Sequence, residues 1–333
     1  MKAPGFWFNP PGGPGWQAVM LAPIAMIYRL ISRHRARSVV PARVGVPVIC
    51  VGNLTAGGAG KTPLVGALVR RLQAAGHVPH VLSRGYGGRI RGPHRVDCEK
   101  DTFRDVGDEP LMLAAIAPVW VSRDRVAGAR AAEKAGAGII LMDDGFQNPG
   151  LVKDLHILVV DAGQGFGNER MIPAGPLREP VDEGLARADL ILLIGGSTVR
   201  EKAIASYPCL TDADLIEAEV KVVETGLALR DEPVLAFAGI GRPEKFFETL
   251  DGLGARRVGS VSFADHYAYP DAVLKRLVRH ARELGAMLVT TEKDAVRLPE
   301  AFRREVLVVQ VMLEPFDWSA LDAALEKLGI SMT

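Results

Sequence analysis

From residue 46 onward, short apolar runs alternate with stretches of helical period. VPVICVG (46–52) reads as a buried strand and residues 62–75 as a helix stopped at Gly76. Further strands are expected at 79–83, 119–122, 138–143, 155–161 and 189–195, with a helix over 124–136. The runs are continuously apolar rather than alternating, as in strands covered on both faces. This part of the chain therefore predicts α/β architecture around a parallel sheet. Around 210–232 the texture turns polar and alternating, and two short strands about Thr225 and Gly226 are expected to form a hairpin linker over 214–232. A second α/β run follows, with strands at 234–239, 257–263, 287–291 and 306–311 and helices at 243–253, 270–284 and 317–328. The expected units are thus 39–213, the linker, and a smaller domain over 233–333.

The first 38 residues have a different character. A Pro/Gly-rich opening carries Phe6, Trp7 and Phe8. Trp16–Tyr28 then runs for 13 residues with Gln17 as its one polar member, and a basic stretch with Arg29, Arg33, His34, Arg35 and Arg37 follows. As a helix, this segment places Trp16, Met20, Ile24, Ile27 and Ile31 on one face, with Pro23 marking a kink or a late start. Its apolar part spans about 20 Å at 1.5 Å per residue, short of the ~30 Å hydrocarbon core of a bilayer. An interfacial helix with a basic flank fits better than a membrane span.

Composition adds little. The 333 residues are 48% hydrophobic and 24% charged, with 40 Lys+Arg against 39 Asp+Glu, so bulk charge gives no reason to expect a nucleic-acid partner. Cys50, Cys98 and Cys209 are odd in number and far apart, which supports neither a disulfide framework nor a cysteine zinc site and favours a reducing compartment.

The strongest chemical signal is GNLTAGGAGKTP (52–63), lying between an expected strand and an expected helix. Glycines let backbone N–H groups converge on an anion, and the helix N-terminus adds its dipole. Thr55, Ala56, Gly57, Gly58, Ala59, Gly60, Lys61 and Thr62 are the candidate nucleotide cradle, although Thr55 stands where the general pattern has its first glycine. Lys61 would reach the terminal phosphates and the Thr62 hydroxyl would bind Mg²⁺. GIILMDDGFQ (138–147) supplies Asp143 and Asp144 as metal-side carboxylates at a strand end. Regular strand geometry would turn only one of them toward the metal; a bend before Gly145 would let both approach. TTEKDAVR (290–297) is not the guanine-selecting N-K-x-D pattern, which favours ATP. SRGYGG (83–88) offers Arg84 and Tyr86, FRDVGDEP (103–110) offers Asp108 and Glu109, VSRDRVAGA (121–129) offers Arg123 or Arg125 for phosphate charge, and SFADHYAYP (262–270) offers His266.

Together with GNERMIPAGPLREP (167–180) and TEKD, these motifs occur in an order that resembles the tetraacyldisaccharide 4′-kinase family of lipid A biosynthesis over nearly the whole chain. The resemblance implies a phosphate-loop α/β/α sandwich with a second, smaller α/β/α domain, joined by a two-stranded linker, with the active site in the cleft between them. It implies ATP-dependent phosphorylation of the 4′-hydroxyl of a tetraacylated glucosamine disaccharide 1-phosphate, by a peripheral enzyme on the cytoplasmic face of the inner membrane. It assigns Lys61, Asp108 as base, His266 as its dyad partner and Arg125 to catalysis, and Thr62, Asp143 and Asp144 to Mg²⁺. Arg84, Tyr86, Glu109, Gln147 and Asn168 match positions linked to substrate or phosphate contacts. Tyr267 stands where the family often has a second histidine. The acylated lipid and the membrane surface are the expected partners, with no nucleic acid and no obligate protein partner. A phosphate-loop enzyme acting on a soluble acceptor, and a membrane-docking nucleotide switch, are the competing readings.

Overall fold

The computed structural model describes residues 3–223 and 229–332. The strands are β1 (Val48–Gly52), β2 (Pro79–Ser83), β3 (His94–Arg95), β4 (Val119–Val121), β5 (Ile139–Asp143), β6 (Leu155–Asp161), β7 (Leu190–Ile194), β8 (Asp214–Val222), β9 (Pro233–Ala238), β10 (Arg256–Ser262), β11 (Met287–Thr291), β12 (Leu307–Val309) and β13 (Val311–Pro315). They form a larger sheet of order β13-β8-β7-β6-β1-β5-β2-β4-β3 and a smaller one of order β10-β9-β11-β12. Among the described strands, only β3 against β4 and β13 against β8 run antiparallel. Helices α1 (Trp16–Arg37), α2 (Lys61–Ala74), α3 (Phe103–Val106), α4 (Asp108–Leu113), α5 (Arg125–Lys134), α6 (Val181–Leu185) and α7 (Ser197–Ser206) belong to the first sheet's domain. Helices α8 (Pro243–Gly252), α9 (Asp271–Glu283), α10 (Glu292–Ala295) and α11 (Glu300–Arg303) belong to the second, and α12 (Ser319–Lys327) follows β13.

Alternation along β1 divides the first core between two faces. Ile49 and Val51 join the cluster under α2 and α12, whereas Val48 and Cys50 join the cluster on the opposite face. Helix α2 buries Leu64, Val65, Leu68, Val69 and Leu72 on one stripe, which fixes the helix directly behind the phosphate loop. In the second domain β9 does the same. Phe237 faces the α9 side, and Ala236 and Ala238 face the α8 side.

Two expectations change. Where a hairpin was expected over 214–232, β8 pairs with β7 and, antiparallel, with β13, and the described residues Leu229–Glu232 lie outside any strand. Thr225 and Gly226 lie outside the described residues. The single strand expected at 306–311 is two strands in two sheets. β12 ends at Val309 and β13 begins at Val311, with the chain changing sheets at Gln310. β13 and α12 then return to the first domain, where Leu313, Leu321 and Leu325 complete its core. Residues expected in the smaller domain thus belong to the larger, because their apolar face matches the uncovered end of that sheet.

Helix α1 runs unbroken through Pro23 for 22 residues. Only Ala18 and Ala25 are buried, while Trp16, Met20, Ile24, Ile27 and Ile31 are 53–70% exposed. Small residues face the protein and large apolar ones face outward, the reverse of an ordinary surface helix. Arg29 and Arg33 pair with Glu183 of α6 at 3.0 and 3.9 Å. Among the described residues, no helix is long and apolar enough to cross a membrane.

Candidate active site

β1 ends at Gly52, and the chain loops through residues 53–60 before α2 begins at Lys61. Gly60 caps that helix in the left-handed region at φ 90°, which a glycine adopts without a Cβ penalty. Buried Asn53 organises the loop: its Nδ2 donates to the Thr55 carbonyl at 2.7 Å, and its Oδ1 accepts from Lys61 Nζ at 3.1 Å. Ala56 N–H donates to the Pro176 carbonyl at 2.7 Å, tying the loop to PAGPLREP.

β5, hydrogen-bonded beside β1, brings up the two aspartates. Strand geometry ends at Asp143, and Asp144 is left-handed at φ 53°, the bend that allows both carboxylates to face Lys61. Asp143 is buried and its Oδ1 has no hydrogen-bond partner. Burial, with Glu109 and Asp144 adding repulsion, pushes its carboxyl up to about 7. Asp144 goes the other way. Burial alone would raise it, but Lys61 at 3.6 Å and Arg178 at 2.8 Å outweigh that and hold it at about 2. A partnerless buried oxygen beside a second carboxylate is suited to Mg²⁺, which binds through one or two carboxylates together with phosphate oxygens. Among the described residues no three or more acidic, His or Cys side chains are grouped so as to hold a metal ion.

Of the two arginines left open, Arg123 is exposed, whereas Arg125 is buried at the start of α5 and feels the charges of Asp143 and Asp144. Burial and the facing Arg84 guanidinium pull Arg125 down to about 10, and its Nε has no partner.

The second half of the site starts at the corner between α3 and α4. Two glycine motifs interlock backbone to backbone here. A Cβ on Gly88 would lie 2.6 Å from the Asp105 carbonyl oxygen, and one on Gly107 would lie 2.5 Å from that of Tyr86. The packing seats Asp108 at the first position of α4 with a side chain only 2% exposed. Across the gap between domains, His266 Nδ1 stands 2.8 Å from Asp108 Oδ2, and the Tyr86 ring lies 5.5 Å from the imidazole. His266 is left-handed at φ 58°, a strain of about 1–3 kcal/mol that the fold sustains to aim the ring. Lys293 Nζ donates to Glu109 Oε1 at 3.0 Å, and fully buried Arg297 approaches Asp108 Oδ2 at 3.6 Å. Burial works to raise Asp108, yet His266, Lys293 and Arg297 hold it below the ordinary carboxylate range.

Two residues expected to bind substrate make hydrogen bonds within the protein. Asn168 is buried, and its amide donates to the carbonyls of Phe6 and Ala174, so it docks the N-terminal aromatic segment onto the PAGP turn. Gln147 Nε2 donates to the Asn53 carbonyl at 2.9 Å and to Glu179 at 2.8 Å, bracing the loop. Arg84 and Tyr86 are exposed at the cleft and Glu109 is half-buried beside it. Sequence reasoning gave no role to Asn53, Asp161, Arg178, Arg242, Lys245, Lys293 or Arg297. For Asp161 a signal was present: an apolar strand ending in aspartate, as at Asp143.

A sequence model described as tetraacyldisaccharide-1-P 4′-kinase matches residues 17–329. The tetraacyldisaccharide 4′-kinase of Dinoroseobacter shibae is 50% identical over 329 residues, covering 98% of each chain. That of Rhodospirillum rubrum is 49% identical over 324 residues, covering 96% of this chain and 97% of its own. A crystal structure of the "apo" form of LpxK from Aquifex aeolicus in complex with ATP matches with a TM-score of 0.76 at 27% identity, covering 93% of this chain and 99% of that one.

Proposed function

The chain belongs to the tetraacyldisaccharide-1-P 4′-kinase family, and we propose that it runs the family's reaction in the cleft between its two sheets. That reaction is ATP-dependent phosphorylation of the 4′-hydroxyl of a tetraacylated disaccharide 1-phosphate, a step of lipid A biosynthesis. The observation that carries the site assignment is the convergence of Lys61, Asp143 and Asp144 at neighbouring strand ends, together with an Asp108–His266 pair closed across the domain gap.

Phosphoryl transfer asks chiefly for positioning and charge stabilisation. In this reading the N–H groups of residues 57–62 and Lys61 hold the triphosphate, and Arg125 and Arg84 face the transferring group. Mg²⁺, when bound, neutralises phosphate charge; Asp143, Asp144 and the Thr62 hydroxyl would hold it. Ionised Asp108 can only accept, so His266 Nδ1 donates to it, and Nε2, 3.7 Å from Asp265 Oδ2, is the ring nitrogen left for the substrate. The ring is 29% exposed and the carboxylate behind it 2%. His266 therefore meets the 4′-hydroxyl and takes its proton, while Asp108 orients the ring and stabilises the imidazolium, a reversal of the roles that the family resemblance implies.

A tetraacylated substrate resides in a bilayer. The outward apolar face of α1 and its arginines would seat the enzyme peripherally on the cytoplasmic face of the inner membrane, where ATP is available. The deciding assay uses γ-labelled ATP, Mg²⁺ and vesicles containing an acylated disaccharide 1-phosphate, followed by lipid extraction. Label is expected in the lipid fraction, and absent with Lys61→Ala. Label released only as inorganic phosphate would defeat the assignment.

A further inference from the structure

Behind the Asp108–His266 pair lies a second buried ion pair. Asp294 sits in α10 and Arg297 just beyond its end, both side chains fully buried, with Arg297 Nη2 3.1 Å from Asp294 Oδ1. Together they clasp Gly239, the residue after β9. Asp294 Oδ1 accepts the Gly239 N–H at 2.9 Å, and Arg297 Nη1 donates to the Gly239 carbonyl at 2.9 Å. That same carbonyl accepts the His266 N–H at 3.1 Å, and Arg297 Nη1 also reaches the Tyr267 carbonyl at 3.3 Å. The guanidinium therefore grips the His266 turn at two points, beside a residue whose left-handed backbone has to be held in place. Its third nitrogen, Nε, donates to the Lys293 carbonyl at 3.0 Å and faces Asp108 Oδ2 at 3.6 Å.

The charges around the imidazole give that last contact a purpose. His266 faces Asp108 from α4, Asp265 from its own turn at 3.7 Å, and the Tyr86 ring from the loop after β2. Two carboxylates beside an imidazole favour its charged form, which is no base; a fixed cation behind one of them opposes this. Two cations stand behind Asp108. Lys293 is 24% exposed and bonded to Glu109, so water screens it, whereas the Arg297 guanidinium is wholly out of water and cannot lose its proton there.

We infer that Arg297 is a positioning residue for the proton transfer: it fixes the His266 turn through the Gly239 and Tyr267 carbonyls, and its permanent charge behind Asp108 keeps the imidazole available as a base. The inference rests on the Asp108–His266 reading above.

A pair that merely stabilises the fold makes a different forecast. Turnover of the acylated disaccharide 1-phosphate would be followed against pH for wild type, Arg297→Lys, Arg297→Gln, the double variant Arg297→Gln with Asp294→Asn, and His266→Ala, with thermal melts verifying folding. The double variant removes both buried charges, so that neither is stranded. Each variant lacking the arginine charge is expected to lower kcat by at least ~10-fold at unchanged KM for ATP. In each, the acid limb of kcat/KM for the lipid should move to higher pH by at least ~0.5 unit. Arg297→Lys keeps the charge without the fork that spans two carbonyls. It should restore the limb to its wild-type position and recover only part of kcat. A limb that stays put in whichever charge-removing variant folds would overturn the inference. If neither folds, Arg297→Lys decides, and a wild-type kcat there would overturn it too. Introduced into His266→Ala, Arg297→Gln should lower kcat no further; a second ~10-fold loss would mean that the arginine acts elsewhere. His266→Ala also separates the two levels. If it loses turnover while the Arg297 variants do not, only the arginine's role fails; if it turns over as wild type does, the dyad fails and the inference with it.

Discussion

Asp143→Asn isolates a buried carboxyl whose Oδ1 has no hydrogen-bond partner among the described residues. Its folded pKa of about 7 lies above the unfolded value of 3.8. A raised pKa means that the fold binds the proton more tightly than the unfolded chain. The associated stability is fully present below pH 3.8 and is lost as pH climbs through about 7. At 1.36 kcal/mol per unit, the loss between pH 5 and pH 8 is about 3 kcal/mol. Asn is neutral at both pH values, so Asp143→Asn should gain that amount over wild type across the window. At roughly 2–4 °C per kcal/mol for a domain of this size, the melting difference should widen by on the order of 10 °C. Thermal melts of the ligand-free proteins at both pH values measure it, and opposing contributions from Asp144, Asp108 and Asp161 cancel in the comparison. Parallel melting curves, with a gap that does not change with pH, would refute the reasoning. Calorimetry gives a second readout: Mg·ATP binding near pH 7 should release protons from wild type and not from the variant.

His266→Ala should lower kcat by ~10²–10⁴ with ATP affinity preserved, and turnover at the wild-type rate would remove the dyad. Gly88→Ala puts a methyl group 2.6 Å from the Asp105 carbonyl, so we expect about 1–3 kcal/mol of lost stability and a fall in kcat larger than any change in KM for ATP. The double variant Met20→Glu, Ile27→Glu alters two side chains that are 70% and 57% exposed. It should melt like wild type, yet partition onto anionic vesicles at least ~100-fold more weakly in sedimentation assays; undiminished binding would exclude α1 as the docking face.

The centre of the first sheet was legible because β1, β5, β6 and β7 are largely apolar runs, and β2 and β6 there, with β11 of the smaller sheet, coincide with their expected ranges. The phosphate loop and the aspartate pair were legible for the same reason: their chemistry lies at strand ends, where sequence order and space agree. What escaped depends on pairings distant in sequence. Lys293 meets Glu109, and Arg242 meets Asp161, only once two separate sheets face each other. Asn168 and Gln147 sit in distinctive motifs, and their amides went to backbone and side-chain partners that no local pattern specifies. The run VLVVQV read as one strand because periodicity does not register that the chain changes sheets at Gln310.

That change of sheet gives the smaller domain an unusual attachment. The chain leaves the large sheet after Val223 and comes back at Gln310, and the Val223 N–H donates to the Gln310 carbonyl at 2.9 Å. The smaller domain is therefore a cassette spliced into its host, with entry and exit stitched side by side. Two adjacent threads permit a swing about one axis and resist twisting, so the cassette should open like a page in a binding. Removing everything after 310 would strip the host of its own last strand and helix, whereas excising the cassette and rejoining the two threads would leave the host sheet whole.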